Sequence, residues 1–158
     1  MHGVLLDRDG TLSLTGGYCH PADFQLAPWA GEAIRLLNQH GLPVAIVTSQ
    51  TGIAHGQFTT DALHECFLRM IDELAQNQAY LSAIYYCPHI TPAQVKAYAV
   101  DCPYHKPKPG MLLRAAQDLQ AKSKTVLWSA MRGTVICAPV RQQVVGLCLY
   151  EPVGVHRP

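Results

Sequence analysis

The chain has 158 residues, of which 49% are hydrophobic and only 15% charged, and its formal net charge is +1. That length suits a single domain with a substantial core, and near-neutrality gives no electrostatic case for a nucleic-acid or anionic-membrane partner. No apolar run approaches a membrane span of about 20 residues, and Met1 leads almost directly into an apolar run without a signal-peptide pattern, so the expected location is cytoplasmic. In that compartment the 6 cysteines suggest metal ligands or buried thiols rather than a disulfide framework.

Taken in order, GVLLD (3–7) predicts a short buried strand, and residues 12–28 a Gly- and Pro-bearing loop. Ala30, Ala33, Ile34 and Leu37 recur at helical spacing from Trp29 to His40, and Gly41 supplies the C-terminal stop. LPVAIVTS (42–49) reads as a second strand. Leu63, Phe67, Met70, Ile71 and Leu74 stripe a helix that opens near Thr59–Thr60. LSAIYYC (81–87) is a third strand, followed by a Pro- and Cys-bearing loop and a helix starting at Pro109. TVLW (125–128) is a fourth strand and VGLCLY (145–150) a fifth. Strands alternating with helices imply an α/β fold with a parallel sheet, whose active crevice lies beyond the carboxyl ends of the strands. Asp7, Thr48 and Cys87 each fall at such an end.

Asp7-Arg8-Asp9-Gly10-Thr11 sets two carboxylates two residues apart just past a buried strand, with a glycine to turn the chain. Such a pair can bind a hard cation such as Mg²⁺, or divide into nucleophile and general acid/base. An ordinary Asp-Gly turn is the plainer alternative, but the apolar strand before it and the threonine after it favour a site.

DRDGTL resembles the first motif of the haloacid dehalogenase superfamily of phosphotransferases, and the resemblance continues over residues 3–125. VTSQTGIAHG (47–56) is similar to the second motif. IYYCPH (84–89) and CPYHKPKPGML (102–112) resemble the zinc loop and third motif of one branch, the D-glycero-D-manno-heptose 1,7-bisphosphate phosphatases and the related histidinol-phosphatases. The resemblance implies a Rossmann-like domain without a large cap, and a set of roles. Asp7 would be the nucleophile and Asp9 the general acid/base, both also holding Mg²⁺. Thr48 and Lys106 would bind the transferred phosphoryl group, with Arg8, Ser49 and Gln50 beside the substrate phosphate. Cys87, His89 and Cys102 would hold a structural Zn²⁺. Tyr18 and His20 are candidates for shaping substrate access. The implied partner is a small phosphorylated metabolite, bound by a monomer.

Three departures accompany the resemblance. The family's zinc loop runs Cys-x-His, then Cys-x-Cys, whereas the fourth position here is Tyr104. A closed zinc site wants four N/S ligands, so either water fills the gap or the neighbouring His105 rotates in. His55 and His105 also stand where the branch commonly has arginines for the substrate's phosphate, and histidine cannot form the bidentate fork.

The third departure is acidic. The family's fourth motif ends a strand in Val-Gly-Asp with a second Asp soon after, yet no Asp or Glu lies between Asp118 and Glu151. Ala130 and Thr134 take those positions, leaving the Mg²⁺ shell incomplete. GTVICAPVRQQVV, where a helix should return the chain, carries Gly133, a β-branched cluster and Pro139, all poor in a helix interior. The genetic code permits one account. Sliding the frame back one nucleotide across Trp128–Arg132 allows Val-Val-Gly-Asp-Ala, so that residues from about 126 to 158 would be frameshifted sequence. Bases there that do not spell Gly-Asp in the shifted frame end that idea. The expected function is therefore a Mg²⁺-dependent phosphomonoesterase, first for a heptose bisphosphate and next for histidinol phosphate. The alternative is a catalytically impaired phosphosugar-binding domain. A zinc-only interaction module would leave DRDGTL unexplained.

Overall fold

A computed structural model describes residues 3–14, 17 and 20–119, together with the backbone of 126–129 and 135–138. Strand β1 (Gly3–Leu6) is followed by helix α1 (Ala30–Gln39), β2 (Val44–Ser49), α2 (Thr60–Gln76), β3 (Ala83–Cys87), α3 (Gly110–Asp118), β4 (Val126–Ser129) and β5 (Val135–Ala138). The sheet order is β3-β2-β1-β4-β5. The first four strands in that order are parallel, and β5 pairs antiparallel to β4, with Val126 opposite Ala138. Among the described residues there is no large cap domain, and no helix is long and apolar enough to cross a membrane.

Side chains alternate across a strand, so each strand feeds two cores. Val4, Val44, Ile46 and Ile84 join Ile34 of α1 and Leu63, Phe67, Met70 and Leu74 of α2 on one face. Leu5, Ala45, Val47 and Tyr85 join Met111, Ala115 and Ala116 of α3 on the other. Two helices on one face and one on the opposite face leave the strand ends free to carry function.

The helix ends follow their local chemistry. Thr59 caps α2, its hydroxyl oxygen accepting from the Ala62 amide at 3.2 Å. After α1 the chain turns through Gly41 at φ +69°, and the Leu42 amide donates to the Leu37 carbonyl at 3.1 Å. Pro109 stands one residue before α3 rather than inside it. The segment after β4 differs from a helix-and-parallel-strand continuation. Val135 and Ile136 are β-branched, and here they extend an antiparallel edge. The strand expected at 145–150, the positions Ala130 and Thr134, and most of the tail read as frameshifted lie outside the described residues.

Candidate active site and metal-ligand cluster

Asp7 follows β1 directly, at the carboxyl end of the parallel sheet. One carboxylate oxygen accepts from the Arg8 amide at 2.9 Å, and the other lies 3.1 Å from Lys106 Nζ. The side chains keep 20% (Asp7) and 24% (Lys106) of their exposure, but the Lys106 Nζ itself is buried, so the pair lies partly sheltered at the sheet's end. Gly10 makes the turn after Asp9 that brings the chain back to Ser13. Its φ of 70° suits a residue without Cβ, and its amide donates to the Ser13 carbonyl at 3.1 Å.

Asp9 is held on both sides. Arg8 Nε donates to Oδ1 at 2.6 Å, and Gln50 Nε2 donates to Oδ2 at 2.9 Å. Gln50 Nε2 also donates to Thr48 Oγ1 at 2.9 Å, and its carbonyl oxygen accepts from Arg8 Nη2 at 3.2 Å. Arg8, Gln50 and Thr48 are all buried. Arg8 lies over the Phe67 ring, 5.8 Å from its centroid, and also donates to the Gly17 carbonyl. Placing a guanidinium at so little exposure requires partners for its donors, and Nε and Nη2 have them. Arg8 is therefore engaged by Asp9, Gln50 and the Gly17 carbonyl.

Thr48 lies next to last in β2, and Ser49 ends it, paired in register with Cys87. Ser49 Oγ accepts from the Lys106 amide at 3.5 Å, which ties the Lys106 loop to the strand end. That loop is a succession of turns: the His105 amide donates to the Cys102 carbonyl, Lys108 to His105, and Gly110 to Pro103. A Cβ on Gly110 would fall inside the van der Waals envelope of the Pro103 carbonyl oxygen, a backbone atom with little room to move. Gly110→Ala is expected to cost about 1–3 kcal/mol and displace the loop carrying Lys106. Urea unfolding measures it, and an unchanged midpoint would show that the close approach is not needed.

A second cluster lies across the sheet end. Cys87 ends β3, and the ligand atoms of Cys87, His89 and Cys102 lie within 4.8 Å of one another. Both cysteines are buried, while His89 is half-buried. Burial lowers the pKa of His89, and the charge of nearby His105 lowers it further, so its imidazole favours the neutral form. Two thiols and an imidazole at this separation fit a tetrahedral Zn²⁺ with one position left over.

His20 is exposed and caps the short 3₁₀ turn Pro21–Asp23, its Nδ1 accepting from the Ala22 amide. Tyr18 lies outside the described residues. Phe67, read from the sequence only as core, turns out to be the ring beneath Arg8, a role that helical periodicity could not reveal.

No family model matches the chain. It is 42% identical over 123 residues to a D-glycero-beta-D-manno-heptose-1,7-bisphosphate 7-phosphatase of Pasteurella multocida, covering 77% of this chain and 66% of that protein. It is 40% identical over 118 residues to the protein of the same name in Escherichia coli K12, covering 73% of this chain and 61% of that protein. The chain thus spans about two thirds of the length of the curated relatives it matches. A crystal structure described as a HAD-like phosphatase of Mesorhizobium loti superposes with a TM-score of 0.76 at 32% identity, covering 81% of this chain and 62% of that one. A D,D-heptose 1,7-bisphosphate phosphatase of B. bronchiseptica, complexed with magnesium and phosphate, superposes with a TM-score of 0.71 at 29% identity, covering 81% and 69%. By sequence and by fold, the chain is thus similar to heptose-1,7-bisphosphate phosphatases and to a HAD-like phosphatase, over somewhat less than two thirds of the length of the curated relatives.

Proposed function

We propose that the protein is a phosphomonoester hydrolase acting on a small sugar phosphate, first of all D-glycero-D-manno-heptose 1,7-bisphosphate, through an aspartyl-phosphate. The observation that supports this most is Asp7 beside Lys106 at the sheet's carboxyl end, with Asp9 fixed two residues on. Asp7 attacks phosphorus, forming an acyl phosphate as the P–O bond to the sugar breaks. Asp9 gives its proton to the departing sugar oxygen, then takes one from the water that cleaves the acyl phosphate. Thr48 Oγ1 already accepts from Gln50, which leaves its O–H to be donated to a phosphoryl oxygen. Lys106 neutralises charge on the equatorial oxygens.

Asp7 and Asp9 offer the hard oxygen donors that Mg²⁺ takes, and the ion commonly keeps several waters beside one or two carboxylates and the substrate phosphate. Bound there, Mg²⁺ would screen the repulsion between carboxylate and phosphoryl oxygens. The two oxygens of Asp9 are engaged by Arg8 and Gln50, and the sequence offers no acid between Asp118 and Glu151, where the branch has its fourth motif, so binding should be weak. Phosphate release from the heptose bisphosphate and from p-nitrophenyl phosphate, with and without the metal, is the test. Low turnover that climbs through the millimolar Mg²⁺ range is expected. No release of phosphate from either ester at any Mg²⁺ concentration would overturn the reading.

The missing acids support a second reading, a catalytically impaired domain that still binds phosphosugars; histidinol phosphate is the next substrate to try. Cys87, His89 and Cys102 hold a structural Zn²⁺ in this account, and a chelator should lower thermal stability if they do. A monomer in the cytoplasm is the remaining part of the proposal. The departure from the branch pattern beyond about residue 126 we attribute to a shift of reading frame, which the coding bases at Trp128–Arg132 decide.

A further inference from the structure

The zinc proposed above has three side chains in place and a fourth position to fill, and the family's cysteine at that position is Tyr104 here. Tyr104 is committed elsewhere. Its ring packs against the core on the α3 face. Its neighbour is not so committed. His105 Nδ1 is buried and has no hydrogen-bond partner among the described residues. A buried ring nitrogen without a partner is costly, and one explanation for such an atom is an ion not yet bound.

We propose that His105 is the fourth zinc ligand, converting the branch's three-cysteine, one-histidine site into a two-cysteine, two-histidine site. The proposal rests on the zinc reading itself. His105 begins close by: its amide donates to the carbonyl of the ligand Cys102 at 3.1 Å. Its ring is not among the atoms gathered within 4.8 Å. Rotation about its two side-chain bonds moves the ring nitrogens over several ångströms. Zn²⁺ takes imidazole as readily as thiolate, at about 2.0–2.1 Å against about 2.3 Å. Lys106 is the next residue, so ligation at His105 would also fix the backbone from which the partner of Asp7 extends.

The test is titration of the reduced, metal-free full chain with Co²⁺, followed by displacement with Zn²⁺, for the wild type, His105→Ala and His105→Cys. Wild type should bind one ion with the strong visible absorption of a tetrahedral cobalt site. Loss of an outer-shell partner alone costs about 10–100-fold in metal affinity, so His105→Ala should lose more than about 100-fold, or lose the tetrahedral spectrum. His105→Cys should keep affinity and gain thiolate-to-cobalt charge-transfer intensity. An unchanged affinity and spectrum in His105→Ala would assign the fourth position to water and overturn the proposal while leaving the zinc reading intact. A wild type that takes up neither ion would overturn both.

Discussion

Asp7→Asn is expected to abolish phosphate release, by at least about 10³-fold, because an amide cannot attack phosphorus to form the acyl phosphate. The substitution is nearly isosteric, so the fold should survive. The expected loss is in chemistry and not in binding. Lys106 would lose the carboxylate 3.1 Å away, and its freed charge should hold an anionic substrate at least as well as before. The expected pattern is a collapsed kcat with KM unchanged or lowered. A variant that keeps a tenth of the wild-type kcat would remove Asp7 from the mechanism, whatever happened to KM.

Phe67→Ala should be the most damaging substitution for stability among the core residues that also serve the site. Phe67 is fully buried between sheet and helix, its ring 5.8 Å from that of Tyr86 and tilted to it. Truncation to alanine in such a place costs about 3–5 kcal/mol, a large part of the about 5–15 kcal/mol that holds a domain together. A second cost follows, since the Arg8 guanidinium loses the ring face beneath it. Denaturant unfolding should show a much lower midpoint at unchanged slope. Phe67→Leu, which refills most of the volume without a ring, separates the two effects. It should recover most of the stability but not the hold on Arg8 and, through it, on Asp9. A midpoint for Phe67→Ala within experimental error of wild type would contradict the packing described.

The strands and helices were legible where burial has a simple period. Continuous apolar runs marked β1, β2 and β3, because a parallel strand is covered on both faces. The Leu63-Phe67-Met70-Leu74 stripe marked α2 and even its buried face. Boundaries slipped by one or two residues where a proline or a polar residue flanks the run, as at Leu42–Pro43 before β2 and Pro109 before α3. The antiparallel pairing of β5 with β4 was legible only as a conflict: the residues were wrong for a helix, but local preference could not say which strand they would join.

In the site, sequence spacing gave the residues but not their directions. Asp7, Thr48 and Cys87 reach the same sheet end because each lies within one residue of the carboxyl end of a parallel strand. That Arg8 would turn beneath the loop, onto Phe67, could not be read from its neighbours in the chain. Its partner Gln50 is 42 residues away. The bond from Gln50 to Asp9 depends on the parallel register of β1 and β2, a property of the sheet and not of either motif.

The most direct measurement is to trap the covalent intermediate. The protein is mixed with p-nitrophenyl phosphate and millimolar Mg²⁺, quenched in acid, reduced with borohydride and digested for mass spectrometry. Hydride converts an acyl phosphate at an aspartate into homoserine. Homoserine at position 7, absent without substrate, is what this account predicts; phosphate released with position 7 still aspartate in every quenched sample would contradict it.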